Sequence, residues 1–326
     1  ALDEITRLAS KERVVFVIDE YPYLAKAYPS ISSRLQHLID HTWKDSKLFL
    51  ILCGSSMSFM ENQVLGYQSP LYGRRTGQFK IEPLTYKETA VFNPELDNVT
   101  NAFVYGVTGG IPHYINKLNV QGDFRNALLE NFFDRSAYLF EEPANLLKQE
   151  LREPAVYNSV ITAIAEGASH MNEICTKTGI DSGPCSKYLS VLINLGILKK
   201  ETPMTEKPGK KTIYSIADPF FRFWYRFVPN NMTPIASGRM EKIYDKAIQA
   251  YLNDYMGLIY EKMCRDYLLY YADELNFQLV DIGQWWGTDC VERKQVQIDL
   301  IGTTDNKNEY LIGSCKFRNE AIGIEE

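Results

Sequence analysis

The sequence predicts an α/β protein of more than one domain, on three observations. Val14-Val15-Phe16-Val17-Ile18 and Leu48-Phe49-Leu50-Ile51-Leu52-Cys53 are apolar, strand-length runs separated by a helical pattern, the signature of a βαβ unit in a parallel sheet. Residues 153–217 hold three helical patterns followed by two strand patterns. Beyond them a helix from about Gly257 to Tyr271 leads into further strands. A length of 326 residues suits roughly two or three domains.

Composition narrows the class. A net charge of −6 and a pI near 5.5 argue against a surface coated with nucleic-acid-binding charge and leave room only for a local basic patch. The six cysteines, at 53, 175, 185, 264, 290 and 315, include no C-x-x-C pair, so they are expected to be reduced thiols and neither a zinc site nor a disulfide frame. No apolar run approaches the roughly 20 residues of a membrane span, and no signal-peptide pattern opens the chain. A cytoplasmic protein without a membrane partner is expected.

Taken in order, residues 1–12 have helical spacing through Leu2, Ile5, Leu8 and Ala9. The first apolar run, expected to be buried on both faces, then stops on Asp19-Glu20. A buried strand ending in Asp-Glu is the Walker B pattern of nucleotide hydrolases, in which the Asp holds Mg²⁺ beside the phosphates and the Glu orients the attacking water. The plainer alternative is a strand ending in a solvated acidic turn. Tyr21 to Pro29 reads as a loop and Ile31 to Trp43 as a helix; the second apolar run ends in Gly54-Ser55-Ser56. In a parallel pair, Ser55 or Ser56 lies beside Asp19 and Glu20, able to bond a γ-phosphate or the attacking water. The loop from Leu65 carries Arg74-Arg75, which suit an arginine-finger role or, more plainly, ion pairs with surface carboxylates. Phe79 to Leu84 reads as a short strand, and Tyr86–Phe92, Val99–Val107, Ile111–Leu118 and Asp123–Phe140 as helices, with a helix–turn–helix corner at Thr108-Gly-Gly-Ile-Pro112.

The succession VVFVIDEYPYL, LFLILCGSSMSFM, VLGYQSPLYGRRTGQFKIEPL and VTGGIPHYI resembles the prokaryotic AAA+/STAND ATPase family, in order and over nearly the whole chain. The resemblance implies an ATPase core, a winged helix and a C-terminal restriction-nuclease-like domain. It implies Asp19 and Glu20 as Walker B, with Asp19 on the metal, Ser55 or Ser56 as sensor and Arg74 or Arg75 as phosphate-sensing arginine. Gly110 and Pro112 match the G-x-P lid motif near the adenine. The departure is the phosphate loop: no G-x-x-x-x-G-K-[ST] occurs in the sequence. With Ala1 at the start and an interrupted helix pattern over 321–326, the chain is expected to be part of a longer protein. ATP and Mg²⁺ are expected in the intact protein, and no tightly bound cofactor on this chain.

Between Pro154 and Ile216, three helices and a β-hairpin make a winged helix-turn-helix. The third helix, with Asp181 as its expected N-cap, and the wing carry Lys187, Lys199, Lys200, Lys207, Lys210 and Lys211 against only Glu201 and Glu206. This local excess could hold double-stranded DNA, or the wing could be a solvated hairpin on a domain that docks protein. No Arg, Asn or Gln stands in Ser182–Ser186 to read bases. Ala217 to Val228 is aromatic all round and is expected to be buried between layers.

At the C-terminal end, Glu261, Asp299 and Lys316 resemble the PD-(D/E)xK nuclease pattern, whose carboxylates, here Asp299 foremost, hold Mg²⁺. Ser314 stands where that family has an acid, so nuclease activity would need another acid such as Glu309 or Glu320 to compensate; a degenerate site is expected. The expected architecture is an AAA+ core fragment over 1–84, a helical lid over 85–150, a winged helix over 151–218 and a nuclease-like domain over 219–326. The expected function is an ATPase that couples nucleotide state to DNA, a protein partner or a second copy. The alternatives are a non-enzymatic DNA-binding or scaffold protein with a vestigial ATPase core, and a metal-dependent nuclease.

Overall fold

The computed structural model describes residues 1–55, 59–209, 211–272, 275, 277–306 and 309–318, without the side chains of residues 62 and 63. Ser56, Lys210, Glu320 and the expected helix over 321–326 lie outside the described residues. The chain divides into two compact units, one from Ala1 to Ile81 and one from Glu82 onward.

In the first unit, α1 (Leu2–Ala9) leads to β1 (Val14–Ile18), then to α2 (Tyr21–Ala27), α3 (Ile31–Leu38), a π-helical turn over Ile39–Trp43 and β2 (Leu48–Leu52). β1 and β2 pair in parallel, Val14 opposite Leu48 through Ile18 opposite Leu52, so the βαβ unit forms as its apolar runs require. Tyr21–Ala27 is a helix, not the loop expected. Pro22 sits in its first turn, where a missing N–H costs nothing. The small core gathers Tyr21, Ile31, Leu35, Trp43, Val64 and Leu71 against the inward residues of the strands. The outward residues Val15, Val17, Phe49 and Ile51 are exposed. The expected burial of both faces is therefore corrected: within this unit helices cover one face only.

The second unit is mainly helical. α4 (Tyr86–Ala90), α5 (Asn98–Thr108), α6 (Pro112–Leu118), α7 (Phe124–Phe132) and α8 (Tyr138–Glu150) come first. The stretch expected as one helix over 123–140 is broken between Phe132 and Tyr138. No strand is found at Phe79–Leu84; Phe79 and Ile81 are 90% and 88% exposed, so alternation alone, without a partner strand among the described residues, does not make a sheet. Next come α9 (Pro154–Ala165), α10 (Met171–Thr178), α11 (Ser182–Asn194) and the antiparallel hairpin of β3 (Leu198–Glu201) and β4 (Ile213–Ile216). Asp181 occupies the N-cap position of α11 but its side chain accepts no capping bond.

α12 (Pro219–Phe227) is the aromatic segment. Asp218 caps it through the Phe220 and Phe221 N–H groups, and Phe220, Phe221, Phe223 and Phe227 are buried. It packs into one continuous core shared with α5–α11 and with Tyr255, Met256 and Ile259. The Tyr255 hydroxyl lies within hydrogen-bond range of the carbonyls of Gly106 (2.6 Å) and Pro219 (2.8 Å), tying three helices together. After α13 (Met232–Ala236) and α14 (Met240–Ile243), α15 spans Gln249–Tyr270. It starts earlier than its sequence suggested, because Gly257 sits inside the helix and not at its head. An antiparallel sheet of β5 (Leu279–Thr288), β6 (Gln295–Thr304) and β7 (Tyr310–Gly313) follows, in that order.

Candidate functional site

The register of β1 and β2 puts the ends of both strands at one edge. Cys53 N–H donates to the Ile18 carbonyl at 3.1 Å and Tyr21 N–H to the Cys53 carbonyl at 2.9 Å, carrying the pairing past the strands and bringing their polar tails together. Asp19 is exposed there, accepting the Glu20 N–H at 2.9 Å and the Cys53 thiol at 3.2 Å. That carboxylate pushes the Cys53 thiol pKa up, by hydrogen bond and by charge. Glu20 has φ +49°, a left-handed conformation that a side-chain-bearing residue adopts at a cost of about 1–2 kcal/mol. Its carboxylate accepts the Ser55 hydroxyl at 3.1 and 3.3 Å. Asp19, Glu20 and Ser55 thus form one cluster at the carboxyl end of a parallel pair, where ligands of open α/β sheets bind.

Among the described residues no group of three or more His, Cys, Asp or Glu side chains could hold a metal by itself. The donors at this edge, carboxylate and hydroxyl oxygens, nevertheless suit Mg²⁺, which commonly takes one or two carboxylates and completes its shell with waters and substrate phosphates.

The two arginines differ. The Arg74 guanidinium is clamped by the Asp40 carboxylate, Nε to Oδ1 and Nη2 to Oδ2 both at 2.8 Å, while Nη1 donates to the carbonyls of Pro70 and Tyr72. The clamp holds the Asp40 carboxyl below its usual range and pushes Arg74 up. The plainer reading, an arginine paired with a surface carboxylate, describes Arg74. Arg75 is exposed. In the second unit, Gly110 has φ +75°, and a Cβ there would lie 2.1 Å from the Leu84 carbonyl oxygen. The Leu84 N–H donates to the Gly110 carbonyl at 3.0 Å, and Pro112 opens α6. Glycine is required at 110 by backbone approach alone.

The wing lysines are not one patch. Lys199 and Lys200 are neighbours on β3, so they face opposite ways. Lys199 turns inward to Glu201, Nζ to Oε1 at 2.7 Å, with its pKa lowered by burial; Arg265 reaches the same Glu201 oxygen at 3.7 Å. Lys199 is thereby removed from the expected DNA-facing set. Lys211 pairs with Glu206 at 2.6 Å and lies over Trp285. The wing itself is docked on β5: Met204 N–H donates to the Gln284 carbonyl at 2.7 Å, and Trp286 Nε1 to the Lys211 carbonyl at 3.2 Å. Lys187, Lys200 and Lys207 are exposed.

Glu261, Asp299 and Lys316, far apart in sequence, do converge. Asp299 Oδ2 accepts the Ser314 hydroxyl at 3.0 Å and the Cys315 N–H at 2.9 Å, with Lys316 Nζ at 3.5 Å. Glu261 is buried and bonded by the Gln284 amide; burial first, then the Asp299 charge, push its pKa up. Ser314 therefore acts as a donor to Asp299 and supplies no second carboxylate. Sequence reasoning missed Asp40, Cys53, Arg265 and Gln284. Of these only Arg265 had a signal, four residues after Glu261 on one helix face.

Residues 1–118 match the model of an ATPase domain predominantly from Archaea, and residues 224–324 match that of archaeal and bacterial proteins of unknown function. An uncharacterized protein of Methanocaldococcus jannaschii is 34% identical over 313 residues, covering 95% of this chain and 68% of its own length. The Walker-type ATPase of Pyrococcus abyssi, as solved, aligns with a TM-score of 0.52 at 20% identity, covering 69% of this chain and 67% of that one; at that identity the likeness is one of fold.

Proposed function

This chain belongs to an AAA+-like ATPase family, and on that premise we propose that Asp19, Glu20 and Ser55 are the water-activating half of its ATP-hydrolysis site. The observation that carries the proposal is the Ser55–Glu20 hydrogen bond at the carboxyl end of two parallel strands. Asp19 would hold Mg²⁺, which when bound supplies charge neutralisation for the β- and γ-phosphates. Glu20 orients the attacking water and takes its proton; Ser55, on the Glu20 carboxylate, positions that group. Arg75 fits the phosphate-sensing role better than Arg74, whose guanidinium is engaged with Asp40. Gly110 and Pro112 form the lid turn. The phosphate-binding loop has no counterpart in this sequence, so the chain taken alone is not expected to bind ATP tightly.

The three helices and hairpin we take as a winged helix, and the β5–β7 sheet with α15 as a degenerate nuclease-like domain. A wing bonded to β5 favours a coupling role between these parts over a wing standing free for DNA, and leaves Lys187, Lys200 and Lys207 as the residues that would meet double-stranded DNA or an acidic partner. An Asp299 held by Ser314, Cys315 and Lys316 supports loss of nuclease chemistry. Among the described residues no helix is long and apolar enough to cross a membrane. Steady-state ATP turnover by the protein as its gene encodes it tests the reading. Asp19→Asn is expected to lower turnover by about a hundredfold or more, in line with the loss of one group acting on the transition state, and Ser55→Ala by about tenfold, the effect of about 1.4 kcal/mol on a barrier. Unchanged turnover in both variants would refute it.

A further inference from the structure

Of the four histidines in the sequence, His37 and His41 stand together. His37 lies near the end of α3, and His41 lies in the π-helical turn that continues it. Residues four apart on a helix are neighbours on one face. Here that face points away from the core: Ile31, Leu35 and Trp43 carry the buried side, and both histidines are exposed. Their ring centres are 4.6 Å apart, with the ring planes inclined at 51°. Among the described residues no hydrogen bond engages either ring, whereas the His170 ring is spent on the Thr212 carbonyl at 3.1 Å. Asp40, between the two in sequence, is committed elsewhere, because Arg74 holds both its carboxylate oxygens at 2.8 Å. What faces solvent is therefore a pair of imidazoles with no carboxylate between them.

We propose that His37 and His41 chelate one divalent late transition-metal ion, with water in its remaining positions. Two histidines at i and i+4 have the helical spacing of a metal-binding pair. The separation of the rings is the one chelation requires. A metal about 2.0–2.1 Å from each coordinating nitrogen stands about 3.2 Å from each imidazole centre, and two rings meeting it at a right angle have centres about 4.6 Å apart. A right angle is the cis angle of tetragonal and octahedral sites, which points to Ni²⁺ or Cu²⁺. Imidazole donors without carboxylate oxygen do not suit Mg²⁺, so this site differs in kind from the oxygen-lined edge at Asp19. The ion bridges α3 and the π-helical turn, and so steadies the turn from which Asp40 holds Arg74. This inference does not depend on the ATPase reading.

Calorimetric titration of the full chain with Ni²⁺ tests the site, in a non-chelating buffer that holds excess Mg²⁺ to occupy exposed carboxylates. The wild-type protein is expected to show a Ni²⁺ site that His37→Ala and His41→Ala each weaken by about tenfold or more, or about 1.4 kcal/mol, because a chelate needs both nitrogens. His113→Ala, which removes a histidine from another helix, is expected to bind Ni²⁺ as the wild type does. Both tested side chains are exposed, so neither substitution removes a core contact. Wild-type affinity in either single variant overturns the proposal. So does a wild-type chain that binds Ni²⁺ no more tightly than the double variant lacking both rings.

Discussion

Glu20 is the residue at which conformation and chemistry meet. Its left-handed backbone gives the turn by which the chain leaves β1 and enters α2, and it leaves the carboxylate on Ser55. Strain of this kind, about 1–3 kcal/mol, persists where the surroundings over-determine it and concentrates at functional sites. Glu20→Gly is accordingly expected to raise stability by about 0.5–1 kcal/mol in urea unfolding while abolishing turnover; a destabilised variant would mean that the strain reading is wrong. Gly110 is the opposite case, a residue whose place is set by packing. Gly110→Ala puts a methyl group into the Leu84 carbonyl at positive φ, and a loss of at least about 2 kcal/mol is expected. An unaltered unfolding midpoint would show that the Leu84–Gly110 contact is not tight.

At the scale of elements, the hairpin β3–β4 shows what periodicity can and cannot say. Its existence was legible from the two strand patterns, which flank Pro208-Gly209 in the sequence. Which lysines face outward was not, because the adjacent pair Lys199-Lys200 must split across the two faces of β3, and burial of one face depends on Arg265, distant in sequence. The same limit explains Phe79–Leu84, where a strand-like alternation has no strand beside it among the described residues. It also explains the helix at Tyr21–Ala27, whose Pro22 reads as a breaker until it is seen to occupy the first turn. Lys199→Glu should cost about 1–2 kcal/mol, discounted for its partial exposure, because it sets an acid against Glu201. Lys200→Glu should leave stability within about 0.5 kcal/mol and weaken duplex binding in a gel-shift titration. Equal effects of the two on stability would contradict the inward placement of Lys199.

For the whole molecule, the order of motifs was legible and the contacts that lock them were not. Asp19, Glu20 and Ser55 could be brought together from strand ends alone, since a parallel pair aligns its carboxyl termini. The convergence of Glu261, Asp299 and Lys316 followed from the resemblance to the nuclease pattern alone, and the Asp40–Arg74 clamp, between residues 34 apart in sequence, had no sequence signal. The aromatic helix α12 was legible as core from its Phe and Tyr residues; its one charged face, Arg222 and Arg226 four residues apart with Arg226 paired to Asp254, shows that it is not apolar all round. Its cap, Asp218, carries a consequence for pH. Burial raises its pKa from 3.8 to about 6, against the lowering effect of the Phe221 and Phe220 N–H groups. A carboxyl group raised in the folded state favours the fold when protonated, so its stabilising contribution is present below the unfolded value of about 3.9 and is lost as pH rises through about 6. Wild-type protein should therefore gain melting temperature relative to Asp218→Asn on going from neutral pH toward pH ~4.5, the window between those two values. Parallel pH profiles would place Asp218 in a more solvated setting.

The claim on which the functional account turns is that Glu20 acts on water and not on nucleotide binding. ATP turnover and ATP affinity, measured side by side on the gene-encoded protein and its Glu20→Gln variant, separate the two. The account predicts turnover reduced by about a hundredfold or more, within the range for loss of a general base, with ATP affinity retained within about threefold, under 1 kcal/mol. Glu20→Gln turning over ATP at the wild-type rate would contradict it.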